Sequence, residues 1–327
     1  MNNYRTANKK AKFFEGWYFK HQKGNNFLIL IPGICARKKL RAKVIEDSFK
    51  EYSFKEYGEK YGFIQIITNS NSYYLYYPIS ECTIAEDELS IKIGDNIFRN
   101  NGIQLNILSK EITLKGSIEY GKLSHIRYPI MGIFQYVPHL ECNHEIISMQ
   151  HRLQGSIQMN GVNLSFDYGI GYIEKDWGYS FPKTYTWVQC NSFPEDKCAL
   201  SLSIADIPIG KYRFTGCIGI VHYEGMEYRF ATYLGVRILT YNSKEIQVKQ
   251  GKYLLRIQLG TNHHNIPYLT QTQAVERNSC RLLAPDNGSM LRTIKEQNLC
   301  PIACQLFEGS RLVFDKASRT ASVEIVE

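Results

Sequence analysis

The segment from Gly171 to Asn191 concentrates groups that could do chemistry. It carries Glu174, Lys175, Asp176, Trp177, Trp187, Gln189 and Asn191 within about twenty residues. A strand that only packs alternates aliphatic and solvated residues, and this one does not. If residues 172–177 are extended, Glu174 and Asp176 point to one side and Lys175 and Trp177 to the other. The same period puts Trp187, Gln189 and Asn191 on a shared face, where each can meet a ligand. A carboxyl group buried among aromatic rings is pushed towards its protonated form, the form a general acid needs.

Other elements must position these residues. Phe13-Phe14-Glu15-Gly16-Trp17-Tyr18-Phe19-Lys20 reads as a strand with Glu15, Trp17 and Phe19 on one face. A carboxylate between aromatics is costly unless it is paired or has a chemical role, so Glu15 is either a second acid/base or the partner of a buried cation. Residues 27–34 give a second, very apolar strand. From 61 to 120 short strands are separated by turn signals such as Asn69-Ser70-Asn71-Ser72 and Asn101-Gly102. The second half repeats the style, beginning with a hairpin about Asn160-Gly161. Regularly spaced short strands predict an all-β chain of barrels or sandwiches. Helical spacing occurs at Met290, Leu291 and Ile294, predicting one short helix over residues 290–297. A weakly marked boundary near residue 150 predicts two domains, 1–150 and 151–327.

The chain has 327 residues, 44% hydrophobic and 13% aromatic, with 23 Tyr against 3 Trp. This is a globular composition that leans towards β structure. The net charge of +8 lies wholly in residues 1–60, which hold 14 Lys/Arg and 6 Asp/Glu. Its densest part is Arg37, Lys38, Lys39, Arg41 and Lys43. That run reads as a solvated loop, with peripheral contact to an anionic membrane surface as the functional alternative. No nucleic-acid motif accompanies it. Nine cysteines without a C-x-x-C pair argue against a zinc site or disulfide framework and fit a reducing cytoplasm. The polar, basic N-terminus lacks the apolar core of a secretory signal. His139, His144 and His151 lie close in sequence, but His-x4-His and His-x6-His are not helical metal spacings, so no metal is expected.

The chain resembles the tocopherol cyclase family. The likeness is carried by residues 13–20, by Tyr172, Glu174, Lys175, Trp177, Gly178, Phe181, Pro182 and residues 187–191, and by Leu283-Ala284-Pro285 followed by residues 321–325. Plant members of the family carry Asn where this chain has Asp176. The family is more distantly similar to carotenoid hydratases, whose Tyr-x-Asp-x-x-Trp-Gly pattern places its carboxylate at Glu174. The resemblance implies two antiparallel lipocalin-like β-barrels and a ligand site within or between them.

The activity it implies is proton-initiated closure of a chroman ring from a prenylated quinol or related isoprenoid, with no cofactor. Glu174 becomes the candidate acid, with Glu15 and Asp176 as further candidate catalytic carboxylates. Trp17 and Trp187 would steady a carbocation. Gln189 and Asn191 would hold the quinol oxygens, and Tyr172 would line the substrate. The partner is then an apolar or prenyl-lipid ligand. A non-catalytic lipid-binding barrel is the alternative, since fold does not fix function.

Overall fold

The computed structural model describes residues 12–36, 60–138, 140–194, 197–209, 212–260 and 279–327. Among the described residues the elements are strands and three short 3-10 turns, at Ile79–Glu81, Gly132–Tyr136 and Thr232–Leu234. No helix among the described residues is long and apolar enough to cross a membrane. The basic run of residues 37–43, and His139, lie outside the described residues.

The first sheet has twelve strands: β1 (Phe13–Lys23), β2 (Asn26–Ala36), β3 (Lys60–Thr68), β4 (Ser72–Pro78), β5 (Cys82–Ile84), β6 (Ser90–Ile93), β7 (Asn96–Arg99), β8 (Gly102–Leu108), β9 (Thr113–Tyr120), β10 (Cys142–Met159), β11 (Val162–Ser165) and β12 (Ile170–Gly178). The second has ten: β13 (Tyr185–Cys190), β14 (Cys198–Ile209), β15 (Tyr212–Tyr223), β16 (Met226–Ala231), β17 (Arg237–Tyr241), β18 (Glu245–Gln250), β19 (Tyr253–Leu259), β20 (Ser279–Asp286), β21 (Ser289–Glu308) and β22 (Arg311–Val326). The all-β expectation holds.

Both ladders take the same route. The first runs β4-β3-β2-β1-β12-β10-β9-β8-β7-β6-β5, the second β16-β15-β14-β13-β22-β21-β19-β18-β17. In each, the first strand pairs with the last, which pairs in turn with a long strand before it. Neither ladder closes by hydrogen bonding of its end strands among the described residues, so the sheets are open where closed barrels were expected.

The chain divides into two compact units, and neither is one continuous stretch. The first comprises Met1–Ser124, Cys142–Phe181 and Leu283–Thr293; the second comprises His125–Glu141, Pro182–Leu282 and Ile294–Glu327. The boundary predicted near residue 150 therefore falls inside β10. That strand is not divided there: it pairs with β12 over Cys142–Arg152 and with β9 over Leu153–Met159, both strands of the first unit. The late segment 283–293 joins the first unit through paired hydrogen bonds. Gln65 Nε2 donates to the Leu283 carbonyl and the Leu283 N–H donates to Gln65 Oε1, both at 2.9 Å. Residues 290–297, predicted as a short helix, lie in β21. Three apolar residues at helical spacing carry little weight against a hairpin that pairs β20 and β21.

Two-residue alternation builds the core of the first unit. Trp17 and Phe19 of β1, Leu28 and Leu30 of β2, Ile64 and Ile66 of β3 and Ile173 of β12 pack with Phe98. β2 reads Asn-Phe-Leu-Ile-Leu-Ile-Pro-Gly-Ile-Cys-Ala and is buried on both faces, as near-continuous apolar strands are. The hairpin at Asn160-Gly161 forms with positive φ at both residues, 49° and 84°, the combination a type I′ turn requires.

Gly33 is set by contact. A Cβ there would lie 2.4 Å from the Phe63 ring and 2.7 Å from the Glu15 carbonyl oxygen. Because one obstacle is backbone, Gly33→Ala should destabilise the first unit by about 1–3 kcal/mol, measured by urea unfolding. Unchanged stability would mean that β1 and β2 can part at no cost.

Candidate functional site

The site is built on three adjacent strands of the first unit, β1, β12 and β10. Antiparallel register sets Trp17 opposite Lys175 and Glu15 opposite Trp177, so these four side chains share one face. Tyr18 is opposite Glu174 on the other face. Across the second edge of β12, His144 is opposite Asp176 and Ile146 opposite Glu174.

The face shared by Trp17, Phe19 and Ile173 is the core face. Here Lys175 Nζ meets Glu15 Oε1 at 2.6 Å, with the side chains 4% and 2% exposed. The ammonium lies 5.0 Å from the ring centroids of both Trp17 and Trp177, a cation–π arrangement. Burial raises the Glu15 carboxyl above its ordinary range, and the Lys175 charge and hydrogen bond pull it back. Glu15 is thus the partner of a buried cation, one of the two roles its sequence allows. Trp17 stacks against that cation in the core, on the face opposite Glu174.

The other face carries Tyr172, Glu174, Asp176 and His144. Tyr172 donates its hydroxyl hydrogen to Glu174 Oε2 at 2.5 Å. His144 Nδ1 is hydrogen-bonded to Asp176 Oδ1 at 2.9 Å, and its Nε2 lies 3.8 Å from Glu174 Oε2. Glu174 is only 5% exposed. Burial of His144 favours the neutral ring, but the Asp176 and Glu174 charges and the Asp176 hydrogen bond outweigh it and raise its pKa to about 9. His144 is therefore an imidazolium at neutral pH. Both ring nitrogens carry hydrogen, Nδ1–H donating to Asp176 and Nε2–H facing Glu174. Tyr18 packs edge-on to Tyr172, with ring centroids 6.4 Å apart.

Five of the residues expected to act thus stand on β1 and β12 of the first unit, and Glu174, Asp176 and Tyr172 come together. Trp187, Gln189 and Asn191 belong to the second unit, all buried, the first two on β13. Sequence alone misses His144 and Tyr18 as members of the site. His144 reaches Asp176 across 32 positions, and β10 is bulged against β12 at two places, so no local period shows the pairing. His151 stands apart from this cluster. Its Nδ1 is hydrogen-bonded to Ser148 Oγ at 3.0 Å and its ring packs on Tyr120.

His144, Glu174 and Asp176 each offer one ligand atom within 4.8 Å of one another, a donor set that divalent transition metals accept. With Nδ1 engaged by Asp176, Nε2 is the ring atom left to face a metal, and metal there would displace its proton.

A profile of the tocopherol cyclase-like family matches residues 92–326. The chain belongs to that family. Among curated relatives, the chloroplastic tocopherol cyclase of Zea mays is 27% identical over 217 residues, 63% of this chain and 44% of the relative. The probable chloroplastic tocopherol cyclase of Oryza sativa subsp. japonica is 37% identical over 86 residues, 25% of this chain and 18% of the relative. The matched region thus spans less than half the length of either relative. Kievitone hydratase from Nectria haematococca aligns structurally over 97% of this chain and 88% of its own, at 12% identity and a TM-score of 0.44.

Two outcomes follow for these charges. Lys175→Met leaves Glu15 buried without its cation and should cost about 3–5 kcal/mol, whereas Glu15→Leu with Lys175→Met should recover most of it; urea unfolding of both variants measures the difference. An equal loss in both would show that packing, not charge, governs the pair. The folded pKa of His144 lies above its ordinary 6.5, so its ion pair adds stability that is complete below about pH 6.5 and disappears as pH rises through about 9. Wild type should exceed Asp176→Asn in thermal stability near pH 6, and the gap should shrink by about pH 10. A constant gap would contradict the assignment.

Proposed function

We propose that this member of the tocopherol cyclase-like family adds a hydroxyl across a carbon–carbon double bond of a prenylated quinol or related isoprenoid, with Glu174 as proton donor. The observation that carries this is the setting of the Glu174 carboxyl, buried between the Tyr172 hydroxyl and the His144 imidazolium. A carboxylic acid whose conjugate base is met in advance by a hydroxyl and a fixed cation gives up its proton more readily, because little has to reorganise when the charge appears.

The steps balance without an oxidant. The His144 Nε2 proton passes to Glu174 and from it to one alkene carbon, a C–H bond forms, the π bond breaks, and a tertiary cation remains. A lone pair of the phenol oxygen closes a C–O bond to that carbon, and the phenol hydrogen returns through Glu174 to His144. The product is an isomer of the substrate. Asp176 positions His144 and keeps it protonated. Tyr172 and Tyr18 offer aromatic faces to the cation. In this scheme Trp17 supports the site from the core, through Lys175, in place of the cation-stabilising role its sequence suggests.

The test is incubation of the full chain with a prenylated hydroquinone in deuterium oxide. The ring-closed product should carry one deuterium on the former alkene carbon that was protonated. Glu174→Gln should lower turnover by about 10²–10⁴-fold in a chain that is still folded at the assay temperature. Ring closure at the wild-type rate in Glu174→Gln would remove Glu174 from the reaction.

A further inference from the structure

The face that carries Glu174 and His144 is laid out as metal-binding faces are. His144 Nδ1 is held by Asp176 Oδ1 at 2.9 Å, and Glu174 Oε2 takes the Tyr172 hydroxyl hydrogen. A metal-ligating histidine characteristically passes its other ring N–H to a carboxylate, and a ligating carboxylate accepts a hydrogen bond of its own. Between the two lies a gap of the right width. His144 Nε2 and Glu174 Oε2 are 3.8 Å apart. Bonds of about 2.0–2.2 Å to one Zn²⁺ leave neighbouring nitrogen and oxygen donors roughly 3.3–3.8 Å from each other.

The charges favour a divalent cation as well. Glu174 is buried, and the side chains of His144 and Asp176 are only 12% and 19% exposed. With the ring neutral, two carboxylates share this face, and one divalent ion balances both. Donor atoms of all three residues lie within 4.8 Å of one another. An imidazole nitrogen beside carboxylate oxygens suits Zn²⁺ better than Mg²⁺. The donors stand on two strands, β10 and β12, so the spacing rules for helical sites do not reveal them.

We propose that this cluster binds Zn²⁺, with His144 Nε2 and the Glu174 carboxylate as direct ligands and Asp176 holding the ring through Nδ1. The ion and the transferable proton then compete for one place. Zn²⁺ takes the Nε2 lone pair, the Nε2 proton leaves to the buffer, and the coordinated Glu174 carboxylate is no longer free to carry a proton. Bound zinc thus switches the acid off. This consequence rests on Glu174 as proton donor; the binding itself does not.

The test is titration of zinc chloride into the full chain, followed by calorimetry and by NMR of the histidine rings. Binding should saturate at one ion per chain. The His144 ring signals should move, while those of His21 and His151, engaged with Tyr120 and Ser148, stay in place. Magnesium chloride should leave the His144 signals unmoved. Asp176→Asn keeps both direct ligands and should weaken zinc binding by about 10–100-fold, and Glu174→Gln and His144→Asn should weaken it further. Seven of the nine cysteines are buried, and zinc held by a thiol would persist in His144→Asn. The proposal is overturned if zinc leaves the wild-type His144 signals in place, or if Glu174→Gln binds zinc as tightly as wild type. Both results are read without turnover, so they stand apart from any failure of ring closure. Ring closure should cease as zinc saturates and return with EDTA; ring closure undiminished by bound zinc overturns the competition.

Discussion

The two-residue period of β12 forces Lys175 and Glu174 to opposite faces, and the ion pair between Lys175 and Glu15 decides which face is the core. Slipping β1 by one residue would send Glu15 out of the core and leave the ammonium buried without its partner, at a cost of several kcal/mol. Packing of Trp17 and Trp177 around the ammonium adds to the same choice. The pair thus holds the register that presents Glu174 and Asp176 together on the other face.

That face is then organised by charge. Against the burial of the ring, the Asp176 charge and hydrogen bond favour the protonated His144, and Glu174 adds to the effect from 3.8 Å. The imidazolium can serve both carboxylates only because β10 brings it opposite Asp176 and beside the residue opposite Glu174. A buried carboxyl group close to a fixed cation and a tyrosine hydroxyl is organised for changes of charge, which a purely apolar binding face is not. A tyrosine-held glutamate recurs on β22, where Tyr185 donates to Glu324 and Glu296 rather than histidine stands across from it, so one strand arrangement carries two different electrostatic settings.

Much of this was legible in the sequence because it is local. Alternation predicted the opposed faces of residues 172–177, the shared face of Glu15 and Trp17, and the Asn160-Gly161 hairpin. What depends on long-range pairing was not. His144 reaches Asp176 only across a bulged ladder, and the segment 283–293 joins the first unit through Gln65, 218 positions from Leu283. Trp17 looked like a cation-stabilising ring beside Glu174 because both lie in family motifs, but register places them on opposite faces. The helical spacing at 290–297 misled because three apolar residues satisfy two periods over so short a run.

The arrangement of this face depends on His144 being an imidazolium at neutral pH, held so by Asp176 and Glu174. The direct measurement is an NMR titration of the His144 ring in the full chain, assigned by comparison with His144→Asn. An apparent pKa of about 9, falling markedly in Asp176→Asn, is the predicted result. A ring that titrates at or below its ordinary value and does not respond to Asp176→Asn would contradict the account.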